Sequence, residues 1–485
     1  MESQAASANQ EKEQFKVVPI LLSFMLAAFI GTFNETALNV ALTTLMNAFS
    51  VTESTIQWLT TGYLLTQGIL VPLSALLIQW FSTRKLFLTS VMFSILGALI
   101  AALAGSFEVL MVGRIFQAVG TAMLLPLMFN TVLVIFPVEK RGTAMGLVTL
   151  VFTAAPAIGP TISGLLIAKL SWHWIFWISF IFLILALVCG LNFMQNVSKI
   201  TKPRIDLFSM LMSTIGFGGI VFGLSKAGES DLNWGSPVVL ISMIVGIVAL
   251  GLFVIRQLSM EKPLINLKAF TFPMFVVGTF MVFFCKMIII TSMLILPMYL
   301  IRVMRADTLS VGLILLPGGL VFALLSPVVG RLFDKWGPKR LVICGITLAT
   351  VVLWFFTGIT TTSSIALIIV LHCLLMIGVV MVWMPAQTNG LNQLPPALYP
   401  DGTAINNTFL QIAGAIGMAM AVSFMTSGQA KFIQLSGTAK ELVDPAQSLN
   451  AGIQSAFAFA LTTAIIGLVI GIFIKRTPLK TQNKG

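Results

Sequence analysis

Fourteen long apolar windows, spread along the whole chain, restrict its fold more than any other feature. A helix that crosses a bilayer needs roughly 20 mostly apolar residues, and the windows are close to or above that length. Only 9% of the residues are charged, whereas a soluble domain carries about 25%. We therefore predict an all-α integral membrane protein with fourteen transmembrane helices. The windows are 17–40, 55–79, 86–104, 109–134, 143–167, 174–195, 207–226, 237–256, 273–300, 310–332, 341–359, 364–390, 403–427 and 452–474.

The basic residues predict the orientation of these helices. With both chain ends in the cytoplasm, the cytoplasmic tails and loops hold 20 of the 28 Lys and Arg residues, the outer loops hold six, and two lie inside helices. This bias follows the positive-inside rule, so the net charge of +12 needs no nucleic acid partner. The polar start, residues 1–14, has no basic n-region, and the first window is too long for a signal peptide. We expect that window to be a retained helix.

The two halves of the chain repeat each other. The dipeptide RK at 84–85 meets KR at 339–340, an offset of 255, and RGTA at 141–144 meets DGTA at 401–404, an offset of 260. Offsets that drift so little mean that helices 1–6 recur as helices 9–14. We predict two six-helix bundles plus two inserted helices, an arrangement typical of transporters. The predicted parts are a cytoplasmic tail at 1–16, bundles at 17–196 and 261–475, linking helices at 197–260 and a cytoplasmic tail at 476–485.

The segment GRLFDKWGPKR (330–340) lies in the loop expected between helices 10 and 11. Gly330 permits close approach of helices, Asp334 can cap a helix or form a pair, and the basic end holds the loop in the cytosol. The segment resembles the loop signature of the major facilitator superfamily, which implies conformational roles for Gly330, Asp334, Gly337, Lys339 and Arg340. The equivalent first-half loop, LLIQWFSTRK, has lost the acid and both glycines.

Other motifs resemble the fourteen-helix drug:proton antiporter subfamily. GRIFQAVGTA (113–122) is similar to the helix 4 signature, and GTAINNTFLQIAGAIG (402–417) is similar to the helix 13 signature. The stretch FIGTFNETALNVAL and the loop LIQWFSTRKLF look most like the lincomycin-resistance-type multidrug exporters of Gram-positive bacteria. APAIGPTISG (155–164) is similar to the helix 5 antiporter motif. It can form a tightly packed seam or a pliable one beside a cavity, through Pro156, Gly159, Pro160 and Gly164.

Glu35 is the acid that lies well inside an apolar window, while the other 15 of the 16 acids fall in tails, loops or helix ends. A charged group in the membrane is costly, so it normally faces a cavity or a partner. On a helix, Glu35 shares a polar stripe with Thr32, Thr36, Asn39 and Thr43. The antiporter subfamily places its acid one residue earlier, where this chain has Asn34. We hypothesise that Glu35 takes over the role of that acid in proton coupling.

Arg114 is the expected partner of Glu35. Helix 1 runs outward and helix 4 runs inward, and the windows place both residues about 8 Å below the outer membrane boundary. A Glu35–Arg114 pair that forms and breaks would meet the requirement of a proton-coupling site. The alternative is a permanent salt bridge that locks helices 1 and 4 together.

Further polar residues inside the windows are candidates for the cavity. Lys286 would favour acidic or carbonyl-rich substrates or repel cations, and the alternative is that it reaches toward the membrane surface or nearby carbonyl groups. His372 could relay protons, or it could be a neutral hydrogen-bonding group. The remaining candidates for contacts with substrate are Asn34, Asn39, Gln67, Gln117, Asn130, Gln387, Asn389, Asn406 and Gln411.

These features predict a transporter rather than an enzyme. No nucleotide-binding P-loop occurs, and the four cysteines have spacings that suit neither disulfides nor a metal site. We expect no metal and no cofactor, with the proton gradient as the energy source. The resemblance implies export of an amphipathic toxic compound in exchange for protons, by a monomer in the bacterial cytoplasmic membrane. Two alternatives stay open: an exporter of a specific, for example anionic, metabolite, and a facilitator without coupling.

Overall fold

A computed structural model describes residues 17–198, 200–201, 206–227, 235–260, 263–436 and 444–477. Within these ranges the chain forms fourteen long helices and no strand. Each helix contains a stretch long and apolar enough to cross a membrane, which confirms the predicted all-α fold with fourteen spans. The helices are α1 (Val17–Phe49), α2 (Glu53–Trp80), α3 (Thr83–Ala102), α4 (Phe107–Ile135), α5 (Arg141–Lys169), α6 (His173–Phe193), α7 (Leu207–Ala227), α8 (Pro237–Ser259), α9 (Pro273–Met298), α10 (Thr308–Trp336), α11 (Pro338–Phe356), α12 (Ile365–Gln393), α13 (Tyr399–Leu435) and α14 (Pro445–Ile472).

Most helices begin in one of two ways. Either a side chain accepts a hydrogen bond from a free backbone N–H group, or the first turn contains a proline, which has no N–H group. Thr52, Ser106, Asp307 and Ser364 each accept a hydrogen bond from the backbone N–H three residues later. Such caps satisfy one of the N–H groups that a helix leaves open at its start. Helices α8, α9, α11, α13 and α14 carry proline at the first or second position, where the missing N–H is not needed.

Helices α1 and α13 are longer than the apolar windows indicated. Helix α1 has 33 residues and ends at Phe49 instead of residue 40, and α13 has 37 residues and ends at Leu435 instead of residue 427. A window ends where the hydropathy falls, but the added α1 segment ALTTLMNAF holds neither glycine nor proline to stop a helix. The apolar span within α1 ends at Leu38, so the extension to Phe49 lies beyond that span, and the predicted depth of Glu35 stays a prediction.

Helices α1–α6 and α9–α14 pack in the same pattern. Helix α1 contacts α5 and α6, α2 contacts α4, and α3 contacts α4 and α6. The same contacts recur between α9 and both α13 and α14, between α10 and α12, and between α11 and both α12 and α14. The chain thus forms two six-helix bundles with two inserted helices. The proposed boundaries at residues 196 and 260 stay a prediction, and the predicted tails 1–16 and 476–485 lie outside the described residues, apart from residues 476 and 477.

The two bundles meet mainly along two helix pairs, α5 with α10 and α2 with α13. Helix α7 packs on α2 and α13 beside this contact, and α8 packs on α7. The outer face of α8 exposes apolar side chains such as Ile241, Ile244 and Ile255. Because an even number of helices separates the described chain ends, Val17 and Thr477 lie on one side of the molecule. We call it the termini side, and the other side the opposite side.

Candidate functional site

Glu35 lies deep between the helices but keeps part of its surface accessible. It stands on α1, one turn after Gly31, where α1 approaches α4 so closely that a Cβ on Gly31 would lie 2.9 Å from Thr121 Oγ1. The Tyr63 hydroxyl on α2 lies 3.3 Å from the Gly31 carbonyl oxygen and 3.1 Å from Thr121 Oγ1. These contacts join α1, α2 and α4 one turn before Glu35.

Arg114 on α4 is completely buried. Its Nη1 donates to the Asn34 carbonyl oxygen and to Gln117 Oε1, both at 3.0 Å, and its Nε donates to the Leu59 carbonyl oxygen at 3.4 Å. The guanidinium carbon lies 4.2 Å from the centre of the Tyr63 ring, a favourable cation–π contact. Nη2 has no hydrogen-bond partner among the described residues. Arg114 is thus fixed by backbone carbonyls, an amide and a ring, and one of its nitrogens is uncommitted.

The predicted Glu35–Arg114 ion pair is not formed in this conformation. Among the described residues, the salt bridge within 4.0 Å is the one between Arg256 and Asp206. The contact of Arg114 with the Asn34 carbonyl nevertheless places Arg114 level with Glu35. Two cations, Arg114 of the first bundle and Lys286 of the second, lie close enough to interact electrostatically with the Glu35 carboxyl group. The site therefore draws charged residues from both bundles.

Asn34 does not line the central space, contrary to the prediction. Its side chain is buried against α6, where Asn34 Oδ1 accepts a hydrogen bond of 2.7 Å from Ser179 Oγ. The two adjacent residues point differently because successive residues are about 100° apart around a helix. Glu35 is half-buried, whereas the residue at position 34 is buried. The side chain of Asn39 lies outside the described residues.

A hydrogen bond joins the two bundles at mid-depth. Gln411 Nε2 on α13 donates to Gln67 Oε1 on α2 over 3.1 Å. Gln67 stands one turn from Tyr63, and Gly414, three residues after Gln411, has a Cβ position 3.6 Å from Lys286 Cε. The structure thus brings Glu35, Tyr63, Gln67, Arg114, Gln117, Lys286 and Gln411 together, and we call these seven residues the central cluster. The sequence analysis did not identify Tyr63. Its position was a signal, because the chain has only three tyrosines and this one lies inside a predicted span.

Two predicted cavity residues lie elsewhere. Asn130 Nδ2 donates to Ser198 Oγ at the termini-side end of α4, and Asn389 binds the backbone of Lys475 and Thr477. Both side chains fix chain segments that leave the helices, so the prediction that they line the cavity is wrong for this conformation. Asn130 and Asn389 lie 259 positions apart, within the offsets of the repeat, and both stand near the ends of their helices.

The other predicted residues of the second bundle are buried in helix contacts. Gln387 and Asn406 are 2% exposed, and each has a polar atom without a partner among the described residues. His372 on α12 hydrogen bonds the backbone of Leu315 and packs on Gly318, both in α10. The structure therefore does not bring it to the central cluster.

The loop motif fastens the two bundles together on the termini side. Asp334 Oδ1 accepts from the Gly142 N–H at 2.9 Å, while its Oδ2 accepts from the N–H and the hydroxyl of Thr143 at 2.9 and 2.7 Å. A carboxylate at a helix start caps free N–H groups and interacts favourably with the helix dipole, and here the capped helix belongs to the other bundle. Gly330 touches the Gly142 backbone directly. We call Gly142, Thr143, Gly330 and Asp334 the clasp.

The rest of the loop motif supports the clasp from outside. Gly337 adopts φ +75° between α10 and α11, a conformation that favours glycine. Arg476 donates to the Asp334 carbonyl oxygen at 3.1 Å and packs on Gly337. Lys339 and Arg340 are exposed. This arrangement uses the motif glycine for the turn and leaves its basic residues at the surface.

Arg141 forms a second termini-side contact that the sequence analysis missed. Its Nη1 donates to Asn392 Oδ1 and to the Tyr399 hydroxyl, both at 3.0 Å and both in the other bundle. The internal repeat contained a signal, because Arg141 in the segment RGTA occupies the position that Asp401 has in the segment DGTA. That aspartate, Asp401, instead accepts from the backbone N–H of Asn266 at 2.9 Å.

The helix 5 motif lies between two neighbouring helices. A Cβ on Gly159 would lie 2.7 Å from Thr36 Oγ1 of α1, and a Cβ on Gly319 of α10 would lie 2.4 Å from the Cβ of Ala157. Close approach of this kind needs residues without large side chains. Pro156 and Gly164 are half-buried, and the side chain of Pro160 lies outside the described residues. The motif therefore packs tightly against both α1 and the facing bundle.

A separate groove of about 610 Å³ lies between α2, α7 and α8. Its lining contains Leu65, Ile69, Phe222, Ile241 and Val245, and no charged residue. It opens beside the exposed apolar face of α8, away from the central cluster. It offers no group for proton exchange, so the central cluster is the candidate site.

The sequence model described as Major Facilitator Superfamily matches residues 24–418. That range covers the first bundle, the inserted pair, and the second bundle as far as α13. The chain belongs to the Major Facilitator Superfamily. It is therefore a multi-pass membrane transporter, and its family membership confirms the prediction of a transporter rather than an enzyme.

Within the superfamily, the chain is similar to lincomycin resistance proteins over nearly its whole length. It is 60% identical to LmrB of Bacillus subtilis strain 168, with 96% of this chain and 97% of the relative covered. It is 57% identical to LmrB of Listeria monocytogenes strain EGD-e, with 96% and 98% covered. The predicted resemblance to lincomycin-resistance-type exporters is thus confirmed. The solved structure of the proton:xylose symporter XylE shares the fold, with a TM-score of 0.63 at 13% identity and coverage of 95% and 96%.

Proposed function

We propose that this chain is a proton-coupled efflux transporter that exports amphipathic drugs of the lincosamide kind by alternating access. The observation that carries the proposal is Glu35, a half-buried acid in a membrane-spanning helix, with the Arg114 guanidinium bound to the backbone carbonyl of the preceding residue. An ionisable group in such a place is costly to keep unless it has a function. The similarity to two proteins named for lincomycin resistance supports the substrate class.

The surroundings of Glu35 supply two ways to hold its charge. Arg114 keeps one uncommitted nitrogen, Nη2, while its other contacts fix it level with Glu35. A small movement of α1 against α4 would bring the ionised carboxylate to this nitrogen. Protonation of Glu35 would remove the attraction and release α1. A carboxylate whose partner depends on its protonation state is what exchange of a proton for a drug requires.

The clasp supports alternating access. It joins α5 of one bundle to α10 of the other by hydrogen bonds to a single carboxylate, and Arg141 adds two more bonds at the same end. Such polar contacts between rigid bundles can break and re-form as the bundles rock. In the conformation described here, the bundles are closed on the termini side, which we assign to the cytoplasm.

The remaining parts of the proposal follow from the sequence. The positive-inside bias of 20 basic residues against six puts both termini in the cytoplasm, and the bacterial relatives support the bacterial cytoplasmic membrane. Both bundles belong to one chain, so we propose a monomer as the working unit. We further propose that protons are the coupling ion and that no cofactor takes part.

Uptake of radiolabelled lincomycin into inverted membrane vesicles tests the proposal. We expect accumulation above the outside concentration when the vesicle interior is acidic, and loss of accumulation after a protonophore is added. Vesicles without the protein are the control. Uptake that only reaches the outside concentration would identify an uncoupled facilitator. No uptake of lincomycin by vesicles that contain the folded protein would contradict the proposed substrate class and favour a metabolite exporter.

A further inference from the structure

The groove between α2, α7 and α8 begins at the opposite-side boundary of the membrane-spanning stretches. Phe222 lines it two positions before the apolar stretch of α7 ends, and Val238 lines it one position after the apolar stretch of α8 begins. From Phe222 the lining of α7 continues back to Thr214, a distance of about 12 Å along the helix axis. The hydrocarbon core of a bilayer is about 30 Å thick, so the groove has the depth of one leaflet.

The lining of the groove suits a hydrocarbon chain. Of its lining residues, Thr214 and Ser242 have polar side chains, and the others are aliphatic, aromatic or glycine. The Ser242 hydroxyl donates to the Val238 carbonyl oxygen of its own helix at 2.7 Å. The α8 wall is formed by Ile241 and Val245, whose side chains are exposed at the surface of the protein. An apolar space that opens toward lipid favours an acyl chain over water.

A lysine stands at the mouth of the groove. Lys226 lies one turn after Phe222 on α7 and therefore on the same face of the helix, two positions beyond the apolar stretch. Its Nζ lies 5.3 Å from the centre of the Trp58 ring, and the centres of the Trp58 and Phe222 rings lie 6.0 Å apart. Trp58 is the first residue of the apolar stretch of α2, and tryptophan prefers the interface between membrane and water. Lys226 thus places a positive charge at the level of the lipid head groups.

We propose that the groove binds an anionic phospholipid of the opposite-side leaflet, with one acyl chain between α2, α7 and α8 and its phosphate at Lys226. The depth of the groove matches the acyl chain, and the charge at its mouth complements the phosphate, which lysine binds as a point charge. A phospholipid without net charge carries an ammonium group that Lys226 repels, so an anionic head group binds more tightly. The bound lipid fills the gap between the first bundle and the inserted helices.

Native mass spectrometry of the purified full-length chain in detergent tests the head-group contact. The chain is titrated with dioleoyl phosphatidylglycerol and, separately, with dioleoyl phosphatidylcholine, which share acyl chains and differ in net charge. We expect the first phosphatidylglycerol to bind about fivefold more tightly, the factor that one lysine near a charged head group supplies, and Lys226→Gln to remove the difference. Lys226→Arg should bind as the wild type does. Lys169→Gln, at an exposed opposite-side position at the end of α5, is the matched control.

A second set of variants tests the acyl-chain contact. Val245→Trp fills the groove from α8 and should weaken the first binding step of both lipids at least about tenfold, because the acyl chain loses apolar contact area. Ile241→Trp is a second filling variant at another lining position. Ile244→Trp is the control, since Ile244 is exposed on the same helix outside the groove lining, and should bind as the wild type does.

Three results would overturn the inference. The first is that Lys226→Gln, with wild-type Tm, keeps a preference for phosphatidylglycerol, or that the wild type has none. The second is that the folded filling variants bind both lipids as tightly as Ile244→Trp. The third is displacement of the first bound lipid by lincomycin, which would make the groove a drug site. Because the assay involves no transport, its outcome is independent of whether the chain exports drugs.

Discussion

At the scale of single residues, Arg114 shows how the protein can hold a cation in a membrane-spanning bundle. Every contact of its guanidinium group is with a carbonyl, an amide oxygen or an aromatic ring. These partners are neutral, so Glu35 remains free to change its protonation state. Arg114 therefore works as a fixed positive charge beside the carboxylate.

Replacement of Arg114 by lysine should destabilise the protein although it keeps the charge. Lysine cannot reproduce the forked geometry that reaches Asn34, Leu59 and Gln117 together, and each lost hydrogen bond to a charged group is worth about 1.5–3 kcal/mol. We expect a clearly lower Tm in detergent by a tryptophan-fluorescence melt. Arg84→Lys is the matched control, because Arg84 also donates to a backbone carbonyl, that of Leu191, but is exposed. Equal Tm values for the two variants would show that the forked contacts of Arg114 do not stabilise the protein.

At the scale of helices, the contact between α5 and α10 depends on glycine. A Cβ on Gly330 would lie 2.4 Å from the Gly142 carbonyl oxygen, which is backbone and cannot turn aside. The equivalent loop of the first half has no glycine there, and Gln79 at the place of Asp334 interacts with Thr201 instead. The clasp therefore exists on one of the two helix pairs that join the bundles.

Gly330→Ala should prevent closure of the termini side. We expect the variant to be folded, to lose most transport, and to expose a cysteine placed at Ser326, which is fully buried in the α5–α10 contact. The measurement is labelling of Ser326→Cys by a membrane-impermeant maleimide in inverted vesicles, in a background without native cysteines. Gly251→Ala is the control, because a Cβ there has nothing within 4 Å. Unchanged labelling in Gly330→Ala would show that the clasp does not control access.

The inserted helices are joined by the ion pair between Asp206 and Arg256, with Nε and Oδ2 2.9 Å apart. The hydrogen bond from Arg256 lowers the pKa of Asp206 to about 2, below the usual value of about 3.9. A lowered folded-state pKa contributes stability that is present above about pH 3.9 and is lost as the pH falls through about 2. The pair therefore does not respond to the pH gradient across a bacterial membrane.

Asp206→Asn should accordingly lower Tm slightly and by the same amount at about pH 5.5 and about pH 8, both above the titration range of the pair. The effect is small because the Arg256 side chain is 48% exposed, and exposed pairs are screened by solvent. Melting curves of the variant and wild type at both pH values provide the measurement. A Tm difference that disappears at the lower pH would mean that the pair titrates where transport takes place.

At the scale of the whole molecule, the sequence predicted the fold well because the membrane imposes it. Each span must be apolar and helical, so composition alone located all fourteen helices, and the repeat predicted the two bundles. Helix ends outside the lipid carry no such constraint, which is why α1 and α13 were predicted too short. The sequence also identified the residue with the most unusual position, Glu35.

The sequence was less informative about side-chain direction. Asn34 and Glu35 are adjacent, and only the helix packing decides that Asn34 faces Ser179 while Glu35 stays accessible. Asn130 and Asn389 read as cavity residues because they are polar, but they bind chain segments at the termini side. The clasp partners Gly142 and Thr143 lie more than 190 residues from Asp334, a contact that no local pattern reveals.

Glu35 carries the proposed coupling of drug export to proton movement. This role is measured by drug-driven collapse of the pH gradient in inverted vesicles, compared between wild type and Glu35→Gln at matched expression. We expect lincomycin to dissipate the gradient with the wild type and with Glu108→Gln, which removes an exposed acid at the start of α4, but not with Glu35→Gln. A Tm of Glu35→Gln close to that of the wild type excludes loss of folding. If folded Glu35→Gln still exchanges protons for lincomycin, Glu35 is not the coupling residue.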